Sequence, residues 1–180
     1  HDLSSLRSVS FGGAPTPPET IDKAREILGI EPSFTNAYGL TETHGVATAN
    51  AGKELLGRKT AAGRPAPCLD CRIVDESGRE VARGRLGEIL FYGPLVTPGY
   101  WNRPDATAET VRDGWLHTGD LGYLDDEGFL YVVDRAKDMI LRGGENVYCV
   151  EIENCLAEHP EIDEAAVVGV PDAELGERVK

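Results

Sequence analysis

"SVSFGGAPTPPETIDKAREILG", residues 8–29, changes its periodicity midway. The alternating small and apolar residues of "SVSFGG" suit a strand, and "PTPPET" then breaks the chain and starts a helix with proline near its first turn. Beyond that break Ile21, Ala24, Ile27 and Leu28 recur at helical spacing as one apolar face, and Gly29 stands where a helix stops. A short strand, "SFTNAY" (33–38), is expected next. Strand, helix, strand begins a parallel, helix-covered sheet, and in such sheets ligands gather at the carboxyl ends of the strands. Both "FGGAP" (11–15) and "AYGLTET" (37–43) fall at such ends.

From about Gly63 the texture changes. Short β-rich runs, "CRIVD" (71–75), "GEILFYG" (87–93), "GYLD" (122–125) and "FLYVVD" (129–134), alternate with turns such as "DESGRE" and "DDEG", and only "PDATAETVRD" (104–113) has a helical pattern. Such a run predicts antiparallel strands folded as a small barrel or curled sheet, with "LGYLDDEGFLYVVDR" (121–135) as its clearest hairpin. After Arg135 the pattern changes again. "KDMILRGGENVY" (137–148) reads as a hairpin around Gly143 and Gly144. "VEIENCLAEHP" (150–160) reads as a helix with Ile152, Cys155 and Leu156 on its apolar face and a stop at His159 and Pro160, and "EAAVVGVP" (164–171) as a strand. Too little chain follows to close a core, so this last part reads as the opening of a second domain, cut short.

The chain has 180 residues, 41% of them apolar and 27% charged, which is the composition of a soluble globular protein. The formal net charge of −13 repels nucleic acid and anionic membrane surfaces, so any phosphate ligand must be held by local donors and metal. No apolar run is long enough for a transmembrane segment and "HDLSSLRSVS" has no signal-like segment, which makes the cytoplasm the expected compartment. Of the four cysteines, Cys68 and Cys71 have the spacing of a metal or redox pair. No second pair follows at ligand spacing, and "RIVD" behind them is strand-like, which argues against a zinc site.

Four stretches carry the chemistry: "FGGAP", "AYGLTET", "HTGDLGYLDDEG" (117–128) and "DRAKDMILRGGEN" (134–146). Taken singly, each has a plain structural explanation. The glycines permit a tight turn, Tyr38 packs, Asp120 caps a turn, and Asp134 with Arg135 forms a surface ion pair. Four ordered motifs together are hard to obtain by accident, and they resemble those of the adenylate-forming enzymes: acyl-CoA synthetases, nonribosomal peptide synthetase adenylation domains and firefly-type luciferases.

That resemblance implies an architecture of α/β plus β. Residues 1–62 would end the α/β part of a large AMP-binding, nucleotide-binding domain, and residues 63–135 would form a small β-barrel-like subdomain of it. Residues 136–180 would be a hinge and the truncated start of a small, mobile α+β C-terminal domain. The resemblance also implies a site for ATP and AMP. Gly12, Gly13 and Ala14 match the segment that lets backbone approach the adenine edge. The Ala37 carbonyl would accept from the adenine amino group, and the Tyr38 ring would stack on the base. Thr41 matches the hydroxyl that donates to the α-phosphate, and Glu42 the carboxylate that holds Mg²⁺, a hard cation. Asp120 matches the acceptor for both ribose hydroxyls. Arg135 matches the cation that reaches the ribose and the phosphates, Lys137 the pivot of the hinge, and Gly143 and Gly144 the loop that lines the channel for the coenzyme A pantetheine arm. The implied reaction joins a small-molecule carboxylic acid to coenzyme A by way of an acyl-adenylate.

The wording of "LHTGDLGYLDDEGFLYVVDRAKDMILRGGENVY" (116–148) is most similar to acyl-CoA synthetases of the fatty-acid and coumarate type. Peptide synthetase adenylation domains and a non-catalytic nucleotide-binding or interaction module are the alternatives. Within "ETHGVATA" (42–49), Val46 and Ala47 suggest an apolar wall for the acyl group, whereas His44 reads equally as a pocket group or a solvated one. Two family parts are absent, the Ser/Thr/Gly-rich phosphate loop and the late catalytic lysine, so the chain is expected to be the central portion of a longer enzyme and inactive alone. Cys149 stands where many relatives have proline after "ENVY", which predicts a less rigid loop.

Overall fold

The computed structural model describes residues 2–29, 34–159 and 161–180, arranged around three sheets. The first sheet is built by β1 (Val9–Gly12), α1 (Pro18–Leu28), β2 (Phe34–Tyr38), β3 (Thr48–Ala51), α2 (Gly52–Gly57) and β4 (Arg64–Pro65), with its strands in chain order. β1 and β2 are parallel, Val9 facing Phe34 and Gly12 facing Ala37, as the strand, helix, strand pattern requires. The expected strand start at Ser33 lies outside the described residues. β3 then returns antiparallel to β2, so the sheet is mixed.

Pro18 opens α1, where a missing N–H costs nothing, and Gly29 closes it in the left-handed region at φ 59°. Ile21 is fully buried, and Ala24 and Leu28 pack with it against Phe34, Leu55, Val9 and Phe11. Ile27, expected on that face, is 76% exposed. At 3.6 residues per turn it stands roughly 120° around the helix from Ile21, which takes it off the buried stripe.

The second sheet contains β5 (Asp70–Val74), β6 (Gly87–Tyr92), β7 (Val111–Arg112), β8 (Trp115–Leu124) and β9 (Leu130–Arg135), with α3 (Pro104–Thr110) leading into β7. All pairings are antiparallel, and the expected hairpin is β8 with β9 around the Asp125–Gly128 turn. Its core of Ile73, Ile89, Phe91, Leu124 and Leu130 also takes in Ala47, and Tyr38 packs against it. The first two sheets therefore share one apolar interior, with Tyr38 at the seam.

The third sheet has β10 (Ile140–Arg142), β11 (Glu145–Val147), β12 (Gly169–Asp172) and β13 (Gly176–Val179), in the order β11, β10, β13, β12, with α4 (Cys149–Ala157) between β11 and β12. The hairpin around Gly143 and Gly144 is present. The late strand differs from expectation: it starts at Gly169, and residues 164–168 have no strand structure. α4 also differs, because its buried contacts come from Cys149 and Ile152, which pack with Ile140 and Val167. Cys155 lies off that stripe, and Leu156, further along it, has run past the small core; both are exposed. Pro160, the expected stop, is outside the described residues. No helix among the described residues is long and apolar enough to cross a membrane.

Candidate functional site

The carboxyl ends of β1 and β2 open into a cavity of about 470 Å³. Gly12, Gly13, Ala37, Tyr38 and Thr41 line it, and so do His44 and Val46. The two strands approach so closely here that a Cβ on Gly12 would stand 2.9 Å from the Ala37 carbonyl oxygen. Ala14 is exposed just beyond this floor. The far wall is a tight loop closed by Thr43, whose buried hydroxyl accepts the Leu40 N–H and lies within hydrogen-bond distance of the Leu40 and Gly45 carbonyls. With Thr43 turned inward, the Thr41 side chain is left exposed.

His44, open between two readings in the sequence, lines the cavity and donates from Nδ1 to the Leu95 carbonyl at 2.8 Å. Val46 is half exposed along the cavity, but Ala47 is fully buried in the core. The apolar wall expected from both residues is supplied here by Val46 alone.

Asp120 sits in β8 and is only 6% exposed. Its Oδ2 accepts the Tyr38 hydroxyl at 2.5 Å, and its Oδ1 lies 3.5 Å from Nε of Arg135, its register partner on β9. Burial raises the Asp120 pKa; the Tyr38 hydrogen bond and the Arg135 charge oppose that rise, and the nearby Asp138 and Asp134 carboxylates add to it. The Tyr38 phenol is held far above its usual value by burial and by the Asp120 charge, which keeps it a donor. One buried carboxylate is thus shared by an aromatic hydroxyl and a largely exposed guanidinium, and it retains further acceptor capacity.

Glu42 lies one residue beyond Thr41 and lines an adjoining cavity of about 340 Å³ with Tyr100, Glu88, Arg112 and His117. Its Oε1 accepts the Tyr100 hydroxyl at 2.5 Å, which raises the Tyr100 pKa, and the Thr97 N–H fixes its backbone carbonyl at 2.8 Å. Tyr100 was invisible to sequence reasoning because it reaches Glu42 across 58 residues with no shared periodicity. Among the described residues, no group of three or more His, Cys, Asp and Glu side chains could hold a metal ion. The Tyr100 hydroxyl takes one oxygen of Glu42, and the other is a hard donor of the type that Mg²⁺ accepts. Cys68 is exposed, whereas Cys71 packs against the core and its thiol is pushed by burial up to about 12.

The remaining expected residues stand apart. Lys137 is exposed, and Gly143 and Gly144 form the turn between β10 and β11, where the Gly143 N–H donates to the Leu175 carbonyl at 2.8 Å. Neither of the two cavities is lined by these three residues. Asp134, read as half of a surface ion pair, is instead buried: Oδ1 accepts the Arg135 N–H at 2.8 Å and Oδ2 the Cys149 N–H at 2.6 Å.

Comparison with known families places the chain among relatives. Residues 1–101 match the model of the AMP-binding enzyme family, and residues 151–180 match that of the AMP-binding enzyme C-terminal domain. The chain belongs to the AMP-binding enzyme family. This AMP-binding family chain is 45% identical over 99% of its length to a medium/long-chain-fatty-acid–CoA ligase of Mycobacterium tuberculosis, covering 31% of that protein. It is 44% identical over 98% of its length to a feruloyl-CoA synthase of an Amycolatopsis species, covering 35% of it. It also superposes on the o-succinylbenzoate CoA synthetase of Bacillus subtilis, solved in complex with its acyl-adenylate intermediate, with a TM-score of 0.88 and 37% identity. That match takes in 99% of this chain and 36% of the synthetase. The chain thus spans about a third of the length of the relatives it matches.

Proposed function

We propose that this chain supplies the adenosine-binding portion of an ATP-dependent, AMP-forming acid–thiol ligase. The enzyme would be an acyl-CoA synthetase that converts a carboxylic acid, ATP and coenzyme A to acyl-CoA, AMP and pyrophosphate. The observation that carries this reading is the buried Asp120 carboxylate bonded to the hydroxyl of Tyr38, the residue that also lines the cavity at the carboxyl ends of β1 and β2. A base on the Tyr38 ring would have its amino group near the Ala37 carbonyl, with Gly12, Gly13 and Ala14 leaving room for its edge. Asp120 would accept from the ribose hydroxyls, and Arg135, always charged, would bridge the ribose and the phosphates.

In the first step a carboxylate oxygen of the acid bonds to the α-phosphorus as the bond to pyrophosphate breaks. The Thr41 hydroxyl donates to the α-phosphate oxygens, so this chain contributes mainly positioning and charge stabilisation. Mg²⁺ held at Glu42 would supply neutralisation of phosphate charge. In the second step the coenzyme A sulfur bonds to the acyl carbon and AMP leaves. Residues 1–135 would belong to the large domain, with its β-rich part from residue 63, and residues 136–180 to the mobile one. Rotation about Lys137 would bring Gly143 and Gly144 to the path of the pantetheine arm. The names of the relatives support a coenzyme A acceptor, and the exposed Val46 supports an acid with an apolar portion. A net charge of −13 supports small-molecule partners over nucleic acid.

ATP–pyrophosphate exchange on the full-length protein, run across fatty, aromatic and amino acids, tests this reading. Exchange with fatty or aromatic acids is expected. A folded protein that binds AMP but exchanges with none of them would instead be a nucleotide-binding module.

A further inference from the structure

Strand β8 does not run evenly beside β6. Glu88 faces Leu121 and Leu90 faces His117, so a single β6 residue, Ile89, spans three on β8: Thr118, Gly119 and Asp120. Extra residues in a bulge lose their ladder partners, and their backbone groups turn to side chains or water. Here side chains provide them. The Thr118 hydroxyl donates to the Ile89 carbonyl at 2.8 Å and accepts the Asp120 N–H at 3.0 Å. The Gly119 N–H donates to Glu88 Oε1 at 3.2 Å, while Glu88 Oε2 pairs with His117 Nδ1 at 3.0 Å. On the other edge the Gly119 carbonyl accepts the Ala136 N–H at 2.9 Å. Gly119 takes a φ of 72°, a left-handed conformation that glycine adopts without a Cβ penalty.

We infer that Glu88 is a positioning residue for nucleotide binding: its carboxylate ties His117, which leads into the Thr118–Asp120 bulge, to the N–H of Gly119 at the centre of the bulge, and so fixes the direction from which Asp120 meets the ribose. The inference rests on the ribose role proposed above for Asp120. Glu88 makes no hydrogen bond to Tyr38, Asp120 or Arg135, so its effect reaches the ligand through the backbone of Gly119. Without that tie the exposed Gly119 N–H bonds to water instead, and the wide backbone range of glycine lets the bulge relax, turning Asp120 away from its approach to the ribose while Tyr38 and Arg135 remain in place.

Binding of AMP, 2′-deoxy-AMP and 3′-deoxy-AMP to the full chain, measured by calorimetry, tests this. The wild type should prefer AMP, and Asp120→Ala should erase the preference. Glu88→Ala should cut the preference about fivefold to tenfold, less than the full worth of a charge-assisted hydrogen bond because the effect reaches the ribose through the backbone. Glu88→Gln, which still offers Oε1 to Gly119, should restore most of it. Adding Glu88→Ala to Asp120→Ala should cost nothing further in ribose preference. Glu88→Asp, shortened by one methylene, gives the same reading in a milder change should the alanine variant fail to fold. A folded Glu88→Ala or Glu88→Asp protein with full ribose preference overturns the inference while leaving the Asp120 role intact. A wild type indifferent to the ribose hydroxyls overturns both.

Discussion

The Tyr38 hydroxyl donates to Asp120 Oδ2 at 2.5 Å across 82 residues of sequence. This bond joins the first sheet to the second and makes the aromatic ring and the carboxylate one unit. It also explains how a carboxylate with 6% exposure is tolerated, since a buried charge needs hydrogen-bond donors more than it needs distance from other groups.

Tyr38→Phe and Tyr38→Ala separate the hydroxyl from the ring. The phenylalanine variant leaves Asp120 short of one donor and should lose about 1.5–3 kcal/mol of folding stability. Its AMP affinity should change little, because ribose hydroxyls can take the vacated lone pair. The alanine variant also loses the stacking surface, which should cost about 1–3 kcal/mol of AMP binding. Denaturant unfolding and calorimetric titration check this pair. Equal AMP affinities in the two variants would show that the ring does not contact adenine.

Asp120→Asn should change the pH dependence of stability and of binding in opposite senses. Burial raises the Asp120 pKa above the ordinary carboxylate value. Between the ordinary value and the raised one, the folded chain keeps a proton that the unfolded chain has released. The stability from this group is therefore full at the acid end and lost as pH rises through the folded value. Asparagine does not titrate, so the wild-type stability measured relative to Asp120→Asn should fall across that window. AMP affinity should rise there in the wild type, as the ionised carboxylate becomes available, and stay flat in the variant. Parallel profiles for the two proteins would refute the assignment.

Gly39→Ala tests whether the loop after β2 is as tightly closed as its contacts indicate. A Cβ at Gly39 would lie 1.6 Å from the Gly45 carbonyl oxygen and 2.6 Å from its carbon, both backbone atoms that cannot swing aside. Overpacking of this kind costs about 1–3 kcal/mol, and here it should also displace Thr41 and Glu42. Lower stability together with weaker AMP binding is expected in denaturation and titration. A variant with the wild-type midpoint would mean that the loop opens freely.

Local patterns made the parallel pair β1 and β2, the β8 and β9 hairpin and the ends of α1 legible, because Pro18, Gly29 and Gly128 act through their own backbone. Long-range placement was not legible. Ile27 and Cys155 matched a helical spacing, yet which stripe is covered depends on the neighbouring sheet. At the candidate site the motif wording picked out Tyr38 and Asp120 separately, and no spacing rule could have paired them. Tyr100 and Glu88 escaped, and Asp134 was misread as a surface group, because each bonds a partner far along the chain: Glu42, Gly119 and Cys149.

Cys149→Pro tests the bond that crosses the stretch proposed as a hinge. The Cys149 N–H, the first of α4, donates to the buried Asp134 at 2.6 Å, and its thiol reaches the Asp138 carbonyl at 3.1 Å. Proline is well tolerated at a first helical position, and Tyr148 before it is already extended at φ −92°, ψ 117°, so the backbone can accept the change. What disappears is the N–H. Losing a hydrogen bond to a charged acceptor costs about 1.5–3 kcal/mol, while proline returns about 0.4–1 kcal/mol by restricting the unfolded chain. The loss is the larger effect, so a net destabilisation of about 0.5–2.6 kcal/mol is expected. Cys149→Ala keeps the N–H and should retain the Asp134 bond, which makes it the control for lost packing. Hydrogen exchange across residues 149–157 should quicken in the proline variant beyond the alanine one. Equal exchange in both would mean that Asp134 does not hold α4 against the end of β9.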